Sequence, residues 1–148
     1  SQMEDYPLLI QALEESGIIT HSETELYLLV GHGTSHIGNL AYLALEDWLK
    51  HSGYSNVLVG TIGGYPTLEM VLKQLNQKGC SNVILIPTLL VAGKHVQQDI
   101  AGEKPDSWKS VLEQNGYSVT VRLQGLGAFP AIQRLYLAHL QKIVADIS

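Results

Sequence analysis

Two histidine-bearing segments are the parts of this chain best suited to chemistry. His32 lies in the segment Gly31-His32-Gly33-Thr34-Ser35-His36, and His95 follows Ala92-Gly93-Lys94 in a second segment that contains glycine. Neutral imidazole is a good ligand for cobalt, nickel, iron and zinc ions, and its pKa near neutrality also lets it accept a proton. Glycine allows a bulky ligand to approach the backbone closely. These residue types indicate a metal-binding or proton-transfer site.

Each of these segments follows an apolar run of the length of a buried strand. Leu26–Val30 precedes the first segment, and Val83–Pro87 precedes the second. Parallel strands that are covered on both faces have such continuous apolar sequences, and open α/β sheets bind ligands at the carboxyl ends of their strands. We therefore expect His32 and His95 to meet at one edge of one sheet.

The elements that must position the histidines alternate regularly along the chain. A helix is predicted over residues 6–15, and four strand–helix units follow it. The predicted strands are Leu26–Val30, Val57–Thr61, Val83–Pro87 and Tyr117–Leu123, and helices are predicted at 36–51, 67–78, 95–115 (broken) and 130–147. This alternation predicts an α/β fold: a four-stranded parallel sheet with helices on both faces. Residues 1–148 are expected to form a single unit.

Composition and charge exclude several classes of function. A hydrophobic fraction of 45% with 16% charged residues is typical of a globular domain with a filled core. The formal net charge of −5, with no cluster of lysine and arginine, argues against nucleic-acid binding. No apolar run reaches the roughly 20 residues of a membrane span. A single cysteine, Cys80, excludes an internal disulfide framework and favours a reducing, cytoplasmic setting. We interpret Cys80 as a buried small apolar residue.

Other chemical interpretations of these segments are weaker. Gly31–His36 lacks the Lys-Ser/Thr ending of a phosphate-binding loop, and Ser35 does not lie in the GxSxG pattern of a hydrolase. His36 suits either the site or the N-terminal turn of the following helix. The remaining histidines are predicted to lie on the surface, and they are His21, His51 and His139.

Five sequence blocks, in order along the chain, carry a family resemblance. They are GHGTSH at Gly31–His36, GTIGGYP at Gly60–Pro66, PTLLVAGKH at Pro87–His95, DIAGEKPDSW at Asp99–Trp108 and GLG at Gly125–Gly127. Together they resemble the anaerobic cobalt chelatase (CbiK) family, the class II sirohydrochlorin cobaltochelatases. The resemblance spans nearly the whole chain and is to the C-terminal lobe of a two-lobed, chelatase-like (flavodoxin-like) protein.

This resemblance implies the insertion of a divalent metal into sirohydrochlorin during anaerobic cobalamin biosynthesis. Cobalt is the expected metal substrate, with iron or nickel as alternatives, and no permanently bound cofactor is expected. His32 and His95 would bind the metal and accept pyrrole protons. The residues expected to bind the tetrapyrrole are Gly33, Thr34, His36, Gly63, Gly64, Tyr65, Leu89, Leu90, Val91, Ala92 and Lys94. An N-terminal lobe, joined through a linking helix at residues 1–20, or a second copy of this chain would complete the cleft.

Three positions depart from the family pattern. Gly63 and Ala128 stand where the family usually has glutamate, and Lys94 stands where it usually has aspartate. Losing a carboxylate removes a metal ligand or a proton acceptor. Lys94 would repel a cation at His95 or pair with a substrate carboxylate. These departures keep a second function open, that of a non-catalytic tetrapyrrole- or metal-binding protein derived from the chelatase fold.

Overall fold

The structure of the chain is a computed structural model that describes residues 10–11, 14–15, 17, 19–31, 46–87, 94–122 and 145, with the backbone alone for 94–96. Four strands form one sheet in the order β2-β1-β3-β4, and every neighbouring pair is parallel. The strands are β1 (Glu25–Gly31), β2 (Val57–Thr61), β3 (Asn82–Pro87) and β4 (Ser118–Val121). This arrangement confirms the predicted four-stranded parallel α/β fold.

Three helices with complete bounds accompany the sheet. They are α1 (Leu68–Lys78), α2 (Lys94–Ala101) and α3 (Trp108–Gln114). Residues 46–51 are helical as well, and so are 10–11, 14–15 and 145. None of the helices within the described ranges combines the length and the apolar character that crossing a membrane requires.

Both faces of β1, β2 and β3 are buried along most of their length, whereas β4 is exposed or half-buried. Leu28 lies level with Leu58 of β2 and Leu85 of β3, and these three belong to one buried cluster. The helices contribute five side chains to that cluster, Val71 and Leu75 of α1, Ile100 of α2, and Trp108 and Leu112 of α3. On the opposite face Leu29 and its strand neighbours Val59 and Ile86 are at most 2% exposed. Burial on both faces explains why the sequences of β1 and β3 are largely apolar, whereas β4, with the sequence SVTV, alternates.

Helix α1 shows how local sequence fixes an element. The side chain of Thr67 accepts a hydrogen bond from the backbone N–H of Met70 at 3.3 Å and so caps the first turn. Val71 and Leu75, four residues apart, are the buried residues of the helix. Gly79 follows with φ 73°, a left-handed conformation that glycine adopts without steric cost. The predicted helix at 67–78 therefore differs from the observed one only at its capping residue.

The predicted broken helix at 95–115 is observed as α2 and α3. Between them the chain turns at Gly102, where an added Cβ would lie 2.4 Å from the carbonyl oxygen of Gln98. Ser107 then caps α3 by accepting a hydrogen bond from the backbone N–H of Ser110 at 3.1 Å. A glycine turn followed by a new N-cap ends one helix and starts the next.

The other predicted elements agree with the structure to different degrees. β2 has the predicted bounds, and β4 is shorter than the predicted strand at 117–123. β1 extends one residue beyond its predicted bounds at each end, and β3 begins one residue early. Cys80 is half-buried against the core cluster rather than fully buried. His21 and His51 are exposed, as predicted. His139, Gly125–Gly127, Ala128 and most of the predicted helix at 130–147 lie outside the described residues.

Candidate functional site

The strand order reverses between β1 and β3. From β1 the chain crosses to β2 on one side of the sheet, and it then returns to form β3 on the other side of β1. In open α/β sheets the crevice at such a reversal, outside the carboxyl ends of the strands, is where ligands bind. Val30 of β1 lies level with Pro87, the last residue of β3, so the two strand ends are direct neighbours. The topology therefore defines a candidate site before any side chain is considered.

The two histidine segments continue from these two strand ends. β1 ends at Gly31, and His32 is the next residue in the sequence. After β3 ends at Pro87, α2 begins at Lys94 with His95 as its second residue. Lys94 and His95 are described by their backbone alone. The other predicted residues of these segments, Gly33, Thr34, His36, Leu89, Leu90, Val91 and Ala92, lie outside the described residues together with His32.

The connection from β2 to α1 forms the described wall of the site. We call Ile62–Pro66 the β2 loop. Its two ends are joined, because the backbone N–H of Thr61 donates to the carbonyl oxygen of Pro66 at 2.8 Å. Thr61 is 1% exposed and Pro66 is buried, and the Tyr65–Pro66 peptide bond is cis. The β2 loop is thus closed on itself at the carboxyl edge of the sheet.

A further hydrogen bond ties the β2 loop to β1. The backbone N–H of Ile62 donates to the carbonyl oxygen of Gly31 at 2.9 Å. Gly31 and Thr61 are also register partners in the sheet. The β2 loop is therefore held against the last residue of β1, directly before His32 in the sequence. Sequence reasoning did not identify Thr61 and Ile62, although both lie inside the GTIGGYP block.

The predicted residues of the β2 loop differ in their exposure. Tyr65 is 59% exposed, Gly63 is exposed and Gly64 is half-buried. An exposed aromatic ring next to glycine backbone offers a flat apolar surface to a planar ligand, because aromatic faces stack on other π-systems. The β2 loop carries no carboxylate, since its residues are Ile62, Gly63, Gly64, Tyr65 and Pro66.

The titratable tyrosines with shifted pKa values precede strands and so lie toward the opposite edge. Burial raises the pKa of Tyr54, before β2, to about 12, and a charge interaction and hydrogen bond with Glu14 add to the effect. Burial also raises the pKa of Tyr117, before β4, with a smaller contribution from Cys80. Within the described ranges, no group of three or more His, Cys, Asp or Glu side chains could hold a metal ion.

Taken together, the parallel sheet, the strand reversal and the anchored β2 loop define an α/β protein with a candidate ligand site at the carboxyl edge of its sheet. Comparison with known families then gives the particular group. The family model described as cobalt chelatase (CbiK) matches residues 1–145. The chain belongs to the cobalt chelatase (CbiK) family, which confirms the resemblance seen in the sequence.

Two curated relatives show the extent of the similarity. The chain is 34% identical over 142 residues to a sirohydrochlorin cobaltochelatase of Salmonella typhimurium, covering 96% of this chain and 53% of that protein. It is 36% identical over 123 residues to the sirohydrochlorin cobaltochelatase CbiKC of Nitratidesulfovibrio vulgaris, covering 83% of this chain and 43% of that protein. The chain therefore spans about half the length of the curated relatives that it matches.

Proposed function

We propose that this chain forms part of a cobaltochelatase that inserts Co²⁺ into sirohydrochlorin in anaerobic cobalamin biosynthesis. The observation that carries the proposal is the adjacency of the β1 and β3 carboxyl ends at the strand reversal. The segments bearing His32 and His95 continue from those two ends. Membership of the cobalt chelatase family over residues 1–145 and the names of the relatives support the choice of this reaction.

In this proposal the two imidazoles bind the metal substrate and then release it. His32 and His95 hold the divalent ion through neutral ring nitrogens, leaving other coordination positions open for the pyrrole nitrogens. As the metal enters, two pyrrole N–H protons leave the macrocycle. Imidazole can accept such a proton because its ordinary pKa lies near neutral pH. Iron and nickel remain alternative substrates, since imidazole affinity does not by itself select cobalt.

The remaining predicted residues bind the macrocycle. Tyr65, exposed on the anchored β2 loop, offers its ring to the tetrapyrrole plane, with Gly63 and Gly64 allowing close approach. Lys94 pairs with a carboxylate of the acidic substrate. The other residues assigned to macrocycle binding are Gly33, Thr34, His36, Leu89, Leu90, Val91 and Ala92.

A partner would complete the cleft. We propose that residues 1–148 act as one chelatase lobe, with residues 1–20 linking it to an N-terminal lobe, or with a second copy of the chain in that place. The chain's coverage of about half of each relative supports the proposal of a further lobe. A reducing cytoplasm is the proposed setting, with which the single Cys80 is consistent.

One observation favours a second function. The β2 loop is exposed at Gly63 and offers no carboxylate to a metal or a pyrrole proton. A site that binds tetrapyrrole or metal without turnover would have this composition. The alternative is therefore a non-catalytic binding protein derived from the chelatase fold.

The deciding experiment follows the absorbance of sirohydrochlorin with Co²⁺ under anaerobic conditions. We compare the unmodified chain with His95→Ala and with His51→Ala, whose imidazole is 71% exposed on the helical segment 46–51. The proposal predicts acceleration by the unmodified chain and by His51→Ala, and none by His95→Ala. A spectral shift of the bound tetrapyrrole without metal insertion in any form would instead establish the binding function.

A further inference from the structure

The indole ring of Trp108 occupies the space above Gly60 of β2. A Cβ added at Gly60 would lie 2.6 Å from Cη2 and 2.8 Å from Cζ3 of that ring, and 3.2 Å from Cγ2 of Val71. Contacts this short are not tolerated, so β2 can carry only glycine here while the ring stays in place. Gly60 lies level with Val30 of β1 and immediately precedes Thr61. The ring therefore packs against β2 two residues before the β2 loop begins.

Trp108 is itself fixed relative to α2. It is the first residue of α3 and is 5% exposed. Its neighbour Ser107, 1% exposed, donates its hydroxyl to the carbonyl oxygen of Gly102 at 2.7 Å. The backbone N–H of Gly102 in turn donates to the carbonyl oxygen of Gln98 in α2 at 2.9 Å. A continuous series of contacts thus runs from α2 to the ring over Gly60.

Gly60 directly precedes the donors of both hydrogen bonds that anchor the β2 loop. Thr61 follows Gly60 and donates to Pro66, and Ile62 donates to Gly31. A displacement of Gly60 by a fraction of an ångström would change the geometry of both bonds. It would also move Tyr65 relative to the end of β1.

We propose that Trp108 is a positioning residue for the site, setting the β2 loop relative to α2 through its contact with Gly60. The catalytic consequence rests on the proposed function, whereas the positioning itself does not. Substitutions in contact networks of this kind change the equilibrium coupling between sites by about twofold to thirtyfold. If Trp108 served core packing alone, it would affect the β2 loop no more than Leu112 does. Leu112 lies one helical turn further along α3 and belongs to the same buried cluster.

The test uses steric complementation in the complete chain. Gly60→Ala places a methyl group against the ring, and Gly60→Ala/Trp108→Phe removes the outer ring atoms that it meets. Leu112→Ala is the control for lost packing in α3. Two readouts are followed in each form: hydrogen exchange of the Ile62 amide by NMR, relative to amides of β3, and the KM and kcat of cobalt insertion into sirohydrochlorin.

We expect Gly60→Ala to raise Ile62 exchange relative to β3 by about tenfold, and to raise KM more than it lowers kcat. The double variant should return both to within about threefold of the unmodified chain. Leu112→Ala should accelerate Ile62 and β3 amides alike, leaving their ratio unchanged. The proposal is overturned if Gly60→Ala leaves the ratio of Ile62 exchange to β3 exchange unchanged, or if the double variant does not restore that ratio. It is also overturned if Leu112→Ala changes the ratio as much as Gly60→Ala does. If no form inserts cobalt, the exchange ratios still decide whether Trp108 positions the loop, and only the proposed function fails.

Discussion

The backbone N–H of Ile62 donates a hydrogen bond to the carbonyl oxygen of Gly31, with 2.9 Å between nitrogen and oxygen. This bond extends the pairing of β1 and β2 one step beyond the register pair Gly31–Thr61. It holds the β2 loop to the residue that precedes His32. Functional groups are positioned most accurately when rigid elements support them, and this bond provides such support at the edge where the site is proposed.

Tyr65 is expected to act on substrate binding rather than on stability. Its side chain is 59% exposed, so Tyr65→Ala should change the free energy of unfolding by less than about 0.5 kcal/mol. Loss of the stacking surface should raise the KM for sirohydrochlorin by about tenfold, equivalent to about 1.4 kcal/mol of binding. Steady-state insertion kinetics measure this, with Met70→Ala, the other exposed large apolar residue described, as the control. Equal KM values for the two variants would contradict a role for Tyr65 in binding.

Gly63→Glu should strengthen metal binding. The position is exposed, and a carboxylate there adds a negatively charged oxygen ligand on the β2 loop. We expect the Co²⁺ dissociation constant to fall on the order of tenfold, as measured by isothermal titration, and the insertion rate to rise.

Gly63→Gln is the matched control for Gly63→Glu, because it adds similar bulk without charge. The carboxylate argument fails if glutamine has the same effect as glutamate. An insertion rate that stays at the uncatalysed level in Gly63→Glu would support the binding-protein alternative.

The two described N-caps should differ in their contribution to stability. Ser107 is 1% exposed, accepts from Ser110 N–H and donates to the Gly102 carbonyl oxygen, whereas Thr67, half-buried, caps the first turn of α1. Thr67→Ala should lower the free energy of unfolding by about 1 kcal/mol. Ser107→Ala also removes the hydrogen bond to the carbonyl oxygen of half-buried Gly102 and should cost about 2 kcal/mol. Urea denaturation measures both, and an equal loss would show that the Ser107–Gly102 bond contributes nothing.

Stability should fall at alkaline pH through Tyr54. Burial, assisted by Glu14, raises its pKa from 10.0 to about 12, and His21 stacks on its ring with 4.0 Å between centroids. Because the folded state favours the neutral phenol, this contribution is complete below pH 10 and is lost as the pH rises from about 10 to about 12. At about 1.4 kcal/mol per pKa unit, the loss amounts to about 2–3 kcal/mol.

Tyr54→Phe isolates this effect, since it removes the titrating hydroxyl and keeps the ring. Its free energy of unfolding, measured in urea across the same pH range, should decline less steeply than that of the unmodified chain. Parallel curves for the two proteins would rule out Tyr54 as the source of the pH dependence.

The sequence predicted those elements whose causes are local. β2 was predicted at its observed bounds because a short apolar run is sufficient to identify a buried strand. α1 was predicted at 67–78, and the structure shows that its causes are local: Thr67 caps it, Val71 and Leu75 lie at helical spacing, and Gly79 ends it. Helix capping and burial periodicity act within a few residues, so they can be read along the chain.

Features that depend on tertiary pairing could not be predicted in this way. Local periodicity does not reveal that β1 lies between β2 and β3, so the Ile62–Gly31 bond was not foreseen. Gly60 is the first residue of the GTIGGYP block, but glycine is required at this position because of the ring of Trp108, which is far away in the sequence. His32 and His95 were identified by residue type and by the family resemblance, and their joint role stays a prediction.

The central claim is that His32 and His95, on segments that continue from neighbouring strands, form one metal site. The most direct measurement is titration of the chain with Co²⁺, followed by its visible absorbance, for His32→Ala, His95→Ala and the double variant. Each single variant should weaken binding by on the order of tenfold or more, and the second substitution should add far less than it costs alone, because chelation is already lost. Unchanged binding in either single variant, or losses that simply add, would contradict a shared site.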